Sequence, residues 1–368
     1  MLSYAVKNNL EKGDAAVAQS VSENKRWLYL VLLIALAAGS YWRALPVFLK
    51  YSHSQLLFGT VVTLDICYER GQKDRFKKAA AAVWERLEEI QWRMNIYDDR
   101  SDVIKVNNSF SVPVAIGADT YYVIEQALYF HQLSEGVFDI TVWPLSQLWK
   151  KAAANNRLPS RAEVERVKKI MGPRNLNLLE NNQIQIRHPE TQIDLGGIAA
   201  GYAADEAARI LRSHGLPNFL IDAGGEFYAG GYNCHNKPWR IGIKNPHDRS
   251  KIIGVIEVSD KAVSTSGNYE QYFMIEGQEW THIIHPVTGY PAKGILSATV
   301  IAPRGIDADA MATALCILDP PSGLRVIDAL GEEWAAFIIT SNTDGSLKFW
   351  ASQNYQRLQR QAQRQNNS

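Results

Sequence analysis

The chain has 368 residues and carries 39 Lys and Arg against 38 Asp and Glu, so it lacks the basic excess typical of general nucleic-acid-binding proteins. Its hydrophobic share of 46% is ample for a core, and its length fits one large domain or two closely packed ones. The three cysteines, Cys67, Cys234 and Cys316, form no C-x-x-C pair. We therefore expect neither a disulfide framework nor a structural zinc site, and we expect Cys316 to lie in the core.

The N-terminal region has the pattern of a membrane anchor. Residues 1–26 are polar, and an uncharged apolar run of borderline length for a membrane span begins at Trp27, directly after a Lys-Arg pair. Basic residues are more numerous before this run than after it, which places the N-terminus in the cytoplasm and the main domain outside. A buried core helix is the alternative. The predicted organisation is a cytoplasmic leader (1–26), a membrane anchor or signal segment (27–49), an exported domain (50–352) and a disordered tail (353–368).

The exported part contains strands in runs and helices in groups. Apolar spacing and capping signals predict helices over residues 74–94, 119–136, 160–172, 202–215, 309–318 and 321–330. Alternation and turn signals predict strands over residues 56–68, 184–193, 219–223, 239–244, 252–258, 269–276, 282–284, 297–302 and 334–340. This order is typical of an α+β fold with a mixed or largely antiparallel sheet and packed helices.

The glycine-rich segment from Asp194 to Asp205 stands out because it joins a predicted strand to a predicted helix. Such a turn directs backbone N–H groups outward at the positive end of a helix dipole, where phosphate binds well. The spacing departs from G-x-G-x-x-G, and small residues also allow a helix to pack tightly on a sheet. The residues alone leave both interpretations open.

Asp309 and Thr313 are four residues apart on a predicted helix, so they share one helix face. A carboxylate and a hydroxyl near a helix N-terminus offer the hard oxygen ligands that Mg²⁺ prefers. The alternative is an aspartate N-cap with an unrelated threonine.

Three further places carry candidate ligand-binding or catalytic side chains. His282 has the ordinary imidazole chemistry of a general base, or it is a structural histidine; no third ligand at metal spacing supports a zinc site for His282 and His285. Asp139 and Thr141 share one face of an extended segment, where they either bind a ligand or order the turn at the following proline. Tyr97 follows a helix end and is either an aromatic flank for a planar ring or an ordinary loop residue.

In their order along the chain, these motifs resemble those of the ApbE family of FAD:protein FMN transferases, and the resemblance runs from about Leu57 to Trp350. The matching segments are residues 94–97, 101–102, 136–145, 194–203, 223–225, 239–243, 264–269, 282–289 and 309–313.

The resemblance implies an ApbE-like fold that binds FAD with Mg²⁺ and transfers FMN to a Thr or Ser side chain of an acceptor protein, with release of AMP. It implies that the main-chain carbonyl of Ala199 and the side chains of Asp309 and Thr313 hold the metal, and that His282 is the base. The FAD contacts expected on this basis are Phe58, Tyr97, Asp139, Thr141, Gly196, Tyr202 and Ile283.

The resemblance also implies a membrane electron-transfer subunit as acceptor and a bacterial inner-membrane location, with the catalytic domain in the periplasm. No nucleic-acid partner is expected. A Mg²⁺-dependent FAD pyrophosphatase and a non-catalytic exported flavin-binding protein are the alternatives. The chain departs from common family residues at four positions, and no lipoprotein cysteine follows the apolar run. The four are Phe58 for methionine, Trp143 for glycine, Ala200 for lysine and His285 for aspartate.

Overall fold

An eight-stranded sheet is the framework of the structure, a computed structural model that describes residues 32–34, 48–268 and 271–366, with the backbone only of 361–366. Its strand order is β1-β2-β6-β7-β10-β13-β14-β15, and every neighbouring pair is antiparallel. The prediction of an α+β fold with a largely antiparallel sheet is confirmed. Two hairpins (β8–β9 and β11–β12) and a small sheet (β3-β5-β4) complete the strands of this part of the chain.

The strands are β1 Phe48–Leu57, β2 Thr60–Glu69, β3 Val114–Ala115, β4 Leu176–Leu179, β5 Gln183–Ile186, β6 Phe219–Ala223, β7 Glu226–Gly230, β8 Trp239–Asn245, β9 Asp248–Val258, β10 Lys261–Gly267, β11 Tyr272–Ile275, β12 Gln278–Thr281, β13 Ile295–Ala302, β14 Ala335–Ser341 and β15 Leu347–Ala351. The α-helices are α1 Lys73–Met94, α2 Asp102–Asn107, α3 Ala118–Leu133, α4 Trp143–Ala154, α5 Arg161–Lys169, α6 Ala199–Ser213, α7 Gly305–Leu315, α8 Pro320–Ala329 and α9 Gln353–Asn366.

Hydrophobic residues form three clusters that fix these elements. The largest lies between one face of the sheet and helices α1, α3, α6 and α7, and Leu64, Leu87 and Leu211 are among its buried members. A second cluster lies between the other face of the sheet, the β8–β9 hairpin and Tyr355 of α9. A third joins α4 and α5 to the β11–β12 hairpin around Trp149. The first cluster positions the helix ends that form the candidate site.

Several predicted elements have different bounds in the structure. The strand expected over 56–68 is the hairpin β1–β2, because Phe58 and Gly59 form a turn with φ of +54° and +73°. The strand expected over 184–193 ends at Ile186, so turns lead into the glycine-rich segment. Residues 282–284 are no strand, since β12 ends at Thr281. Helices α2 and α4 were not predicted.

The C-terminal segment corrects another expectation. The predicted disordered tail contains α9 instead, which begins at Gln353. Tyr355 of this helix is buried and stacks on Phe337 of β14 with 5.0 Å between the ring centroids. This contact gives the otherwise polar helix an apolar anchor on the sheet.

The predicted membrane segment, 27–49, lies almost entirely outside the described residues. Within it, residues 32–34 are helical, and Phe48 and Leu49 already belong to β1. In the described part of the chain, no helix combines the length and the apolar character needed to cross a membrane.

A disulfide joins Cys67 to Cys234, so the expectation that these cysteines are unpaired is wrong. Cys67 lies in β2 and Cys234 in the loop after β7, 167 residues away in sequence. The sheet brings them together because β6 pairs with both β2 and β7, which sequence spacing does not reveal. Cys316 is a buried free thiol, as predicted for a core residue.

Candidate active site

Helices α6 and α7 cross at two glycines, Gly201 and Gly305. A Cβ added to Gly201 would overlap the carbonyl oxygen of Gly305, and a Cβ added to Gly305 would overlap the carbonyl oxygen of Gly201. Only glycine allows the two backbones to approach so closely. The crossing brings the first turn of each helix against the other.

Two carboxylates, the buried Asp309 and the half-buried Asp205, connect the helices at this crossing. Asp309 of α7 accepts the Gly201 N–H through Oδ2 at 2.9 Å. Asp205 of α6 accepts the N–H groups of Gly305 and Ile306 at 2.5 and 3.0 Å, one with each oxygen. The first turn of a helix leaves N–H groups without an intrahelical partner, so each helix supplies a cap for the other.

Burial changes the acidity of both carboxyl groups. It raises the pKa of Asp205 to about 7, and burial together with the neighbouring Asp205 raises the pKa of Asp309 to about 7. Asp309 is only 3% exposed. A cation beside them would favour their charged forms, so the electrostatics of this crossing suit a bound divalent ion.

Thr313 adds a hydroxyl one turn after Asp309. Its Oγ1 lies 3.3 Å from Oγ of Ser266 in β10. A Cβ added to Gly197 would lie 3.4 Å from the same Thr313 oxygen, so the glycine-rich backbone runs beside this hydroxyl. The predicted pair Asp309 and Thr313 therefore meets the glycine-rich segment in space.

The main-chain carbonyl of Ala199 is the third metal ligand that the sequence predicts. Ala199 is the first residue of α6, so its carbonyl belongs to the helical hydrogen-bond pattern and points along the helix. In a regular turn the Gly201 N–H would bond the Gly197 carbonyl, but here it donates to Asp309. The hydrogen bond to Asp309 thus ties the turn that contains Ala199 to α7, and the Ala199 carbonyl stays a predicted metal ligand.

Across the residues that the structure describes, no cluster of three or more His, Cys, Asp and Glu side chains is arranged to hold a metal ion. The predicted ligands are one carboxylate, one hydroxyl and one main-chain carbonyl, which supply fewer charged groups than such a cluster. Mg²⁺ uses few protein oxygens and completes its shell with water and substrate phosphates. These three donors therefore fit Mg²⁺ when a phosphate substrate is bound.

Asp194 links the glycine-rich segment to the segment that contains Asp139. Its Oδ1 accepts the Gly196 N–H at 3.0 Å, and its backbone N–H donates to the Ile140 carbonyl at 2.8 Å. Burial raises the pKa of Asp194. The sequence motif contained Asp194 but did not indicate that its side chain orders this turn.

Asp139 and Thr141 order a turn. Asp139 accepts the N–H and the hydroxyl of Thr141 at 2.8 and 2.6 Å, and the Thr141 oxygen also accepts the Gly172 N–H at 2.6 Å. Thr141 is completely buried. The structure therefore supports the structural interpretation of Thr141 and not a direct ligand contact, whereas burial raises the pKa of Asp139.

Tyr97 presents an aromatic surface beside the glycine-rich segment. Its side chain is 72% exposed, and its ring packs edge to face on Trp143 with centroids 5.6 Å apart. Partial burial and the charge of Asp194 raise the pKa of Tyr97. Trp143, where the family commonly has glycine, thus supports the Tyr97 ring.

Tyr202 and Phe58 are fixed by contacts with α1. The Tyr202 hydroxyl donates to Asp119 at 2.6 Å beside the Arg86–Asp119 ion pair, so its side chain packs α6 against α1 and α3. The Phe58 N–H donates to the side chain of Gln91 at 2.6 Å. In the structure, neither Tyr202 nor Phe58 forms a hydrogen bond with Asp205 or Asp309.

His282 follows β12 and has a defined tautomer. Its Nδ1 lies 2.9 Å from the carbonyl oxygen of Gln271. A carbonyl only accepts, so Nδ1 carries the proton and the neutral ring has its lone pair on Nε2. Next to it, Ile283 is buried, and its carbonyl accepts the Ala292 N–H at 2.8 Å.

A short path of contacts relates His282 to Thr313. The hydroxyl of Thr281 donates to Asn268 at 3.1 Å, and Asn268 lies two residues after Ser266, the neighbour of Thr313. The loop that carries the predicted base therefore adjoins the strand end that contacts α7.

Comparisons with known proteins identify the family of the chain. A family model described as "ApbE family" matches residues 58–338. The chain belongs to the ApbE family.

Individual relatives are similar over most of their length. A protein of Vibrio cholerae named FAD:protein FMN transferase is 31% identical over 336 residues, which cover 90% of this chain and 98% of the relative. A protein of the same name from Salmonella typhimurium is 30% identical over 275 residues, 73% of this chain and 78% of the relative. The solved flavin transferase ApbE from Vibrio cholerae superposes with a TM-score of 0.74 at 29% identity, covering 84% of this chain and 99% of that one. The ApbE protein from Thermotoga maritima gives 0.75 at 32% identity, with the same coverage.

Proposed function

We propose that this protein transfers FMN from FAD to a Thr or Ser side chain of an acceptor protein and releases AMP. The observation that carries the proposal is the crossing of α6 and α7, where Asp309 and Thr313 meet the glycine-rich segment. Relatives named FAD:protein FMN transferase that match 90% and 73% of the chain support the same activity.

In the proposed reaction the acceptor hydroxyl oxygen attacks the phosphorus of the FMN half of FAD. A new P–O bond forms, the bond from that phosphorus to the bridging oxygen breaks, and AMP leaves with the electron pair. Nε2 of His282 receives the hydroxyl proton, since Nδ1 already donates to Gln271. The exposed ring of Tyr97 offers a surface for the isoalloxazine or adenine ring.

Charge on the pyrophosphate is the main obstacle to this step. We propose that Asp309, Thr313 and the Ala199 carbonyl hold Mg²⁺, which would neutralise phosphate charge when bound. The Gly201 N–H donates to Oδ2 of Asp309 and so would hold this carboxylate in place at the crossing. Ala200 stands where the family commonly has lysine, so backbone N–H groups at the start of α6 take a larger share of the anion.

The setting of the reaction is part of the proposal. We propose an exported domain anchored by residues 27–49 in the bacterial inner membrane, with an electron-transfer subunit as acceptor. The Cys67–Cys234 disulfide supports an oxidising compartment such as the periplasm, because disulfides persist there and are rare in the cytosol.

The test incubates the purified full-length protein with FAD, Mg²⁺ and a recombinant acceptor domain that has a Thr or Ser flavinylation site. In-gel flavin fluorescence detects the labelled acceptor, and chromatography measures AMP in equal amount. Asp309→Ala should abolish both products because it removes the carboxylate ligand. FMN and AMP in solution with an unlabelled acceptor would instead identify a FAD pyrophosphatase.

His282→Ala should slow transfer by roughly 10²–10⁴-fold, the usual contribution of a general base. FAD affinity, measured by quenching of flavin fluorescence, should stay unchanged because the imidazole acts on the acceptor hydroxyl. His285→Ala is the matched control, since His285 lies in the same loop and should leave transfer near the wild-type rate. Wild-type transfer by His282→Ala would contradict the role of His282.

A further inference from the structure

We propose that Asp205 is a positioning residue that sets Asp309 for metal binding, an inference that rests on the proposed function. Asp205 and Asp309 belong to the same local motif, repeated on the two crossing helices. The motif is G-x-x-x-D, from Gly201 to Asp205 on α6 and from Gly305 to Asp309 on α7.

The two motifs are related reciprocally. In each helix the aspartate lies four residues after the glycine and therefore on the same helix face. Each aspartate accepts the N–H of the glycine in the other motif: Asp205 that of Gly305, and Asp309 that of Gly201. The backbones touch at the same two glycines. This arrangement fixes both the distance and the axial register of α6 and α7.

The two aspartates differ in the use of their oxygens. Asp205 gives Oδ1 to Gly305 and Oδ2 to Ile306, so both oxygens hold the N-terminus of α7. Asp309 accepts the Gly201 N–H with Oδ2 alone, so its Oδ1 holds no backbone N–H in the described part of the chain. The repeated motif thus has one member that positions α7 and one that binds.

Asp205 acts on the metal site through the backbone of α7. The N–H groups of Gly305 and Ile306 begin the helix that presents Asp309 and Thr313 on one face, one and two turns further on. Loss of the two-oxygen cap allows the start of α7 to shift relative to Gly197 and Gly201. Partners that orient metal ligands in this way typically contribute 10–100-fold to metal affinity.

The test compares Asp205→Asn with Asp307→Asn. Asn offers a single acceptor oxygen, and its NH₂ group would face an N–H donor of α7. Asp307 is a buried carboxylate in the same first turn, paired with Arg304 and without a hydrogen bond to α6. Asp307 lies close enough to Asp205 to influence its charge, and both variants replace a carboxylate by an amide, so the difference between them isolates the cap.

Metal affinity is measured on the full-length, FAD-free protein with Mn²⁺ as the probe, by the loss of the free-ion signal in electron paramagnetic resonance. Asp205→Asn should raise the Kd for Mn²⁺ by roughly 10–100-fold, and Asp307→Asn should change it much less. Transfer by Asp205→Asn should recover at high Mg²⁺, because the reacting groups are intact. Asp205→Glu, which keeps two acceptor oxygens, should restore part of the affinity.

Three outcomes would overturn the proposal. The first is wild-type Mn²⁺ affinity in Asp205→Asn, and the second is equal losses in Asp205→Asn and Asp307→Asn. If Asp205→Asn does not fold, Asp205→Ser, which also lacks the two-oxygen cap, carries the test, and wild-type affinity in that variant is the third. Each of these three outcomes leaves the proposed FMN transfer by the wild-type protein unaffected. Absence of both Mn²⁺ binding and transfer in the wild type would overturn the proposed function as well.

Discussion

At the scale of single residues, the site is notable for carboxyl groups whose pKa is raised by burial. They are Asp139, Asp194, Asp205 and Asp309. A folded protein that keeps several carboxyl groups in surroundings that disfavour their charged form bears a stability cost that a bound ligand can offset. Sequence spacing revealed the Asp309 and Thr313 pair, since both lie on one helix. It did not reveal Asp205, whose partners are about a hundred residues away.

Asp139 makes a testable contribution to pH dependence. Its folded-state pKa is raised by burial, so the folded protein binds this proton more tightly than the unfolded chain. Between the unfolded pKa near 4 and the higher folded value, the Asp139 contribution to the free energy of unfolding should therefore fall as pH rises. We expect the difference in free energy of unfolding between the wild type and Asp139→Asn to decrease as pH rises through this window. Urea unfolding without FAD measures this difference.

Asp319 provides the opposite control for that experiment. Its hydrogen bonds to Ser322 lower its pKa, so its contribution should be present above the unfolded pKa and be lost as pH falls. The stability difference between wild type and Asp319→Asn should rise with pH. If the Asp139 difference rose in the same way, the burial argument would be wrong.

At the scale of helices and strands, local signals predicted the elements whose caps and apolar spacing are complete. The helix expected over 74–94 is α1, and the capping box at Ser160 begins α5 as predicted. The β1–β2 turn was missed because Phe58, an apolar residue, adopts a positive φ that its sequence does not signal. Helix α4 was missed because Pro144 suggested a turn, whereas it occupies the first helical turn.

Because α6 and α7 cross so closely, a single methyl group added at the crossing should destabilise the protein. Gly201→Ala should lower the free energy of unfolding by about 1–3 kcal/mol, because the Cβ would overlap the Gly305 backbone. It should also weaken Mn²⁺ binding by moving Asp309. Urea unfolding and the Mn²⁺ titration measure the two effects.

Gly71→Ala is the matched control for this substitution. No atom lies within 4 Å of a Cβ at Gly71, and its φ is not positive. This variant should keep wild-type stability and metal affinity. Equal stability of Gly201→Ala and Gly71→Ala would contradict the close crossing.

At the scale of the whole molecule, composition and motif order were enough to predict the α+β class and the ApbE family. The long-range ties were not predictable, because each joins segments whose sequences carry no mark of the other. The Cys67–Cys234 disulfide and the packing of Tyr355 on Phe337 are both of this kind. A single chain with three scattered cysteines gives no signal for which pair the sheet will bring together.

Removal of the disulfide should lower the free energy of unfolding by about 2–5 kcal/mol, since the bond closes a long loop of the unfolded chain. The comparison is between wild type and Cys67→Ser/Cys234→Ser in urea, each with and without reductant. The wild type should lose stability on reduction, and the double variant should not respond. A wild type that is indifferent to reductant would contradict this expectation.

The strand order of the large sheet has a consequence for how the molecule is made. From one edge of this sheet to the other, its eight strands lie in the same order as in the chain, from β1 to β15. The strands with intervening numbers belong to the smaller sheets. A polypeptide that emerges N-terminus first can thus extend the sheet at one growing edge and never has to insert a strand between two that are already paired. Both disulfide cysteines emerge before α7, so oxidation can secure the early strands while Asp309 and Thr313 are still to come. Vectorial synthesis would thus complete the reactive centre late, on a scaffold that is already covalently closed.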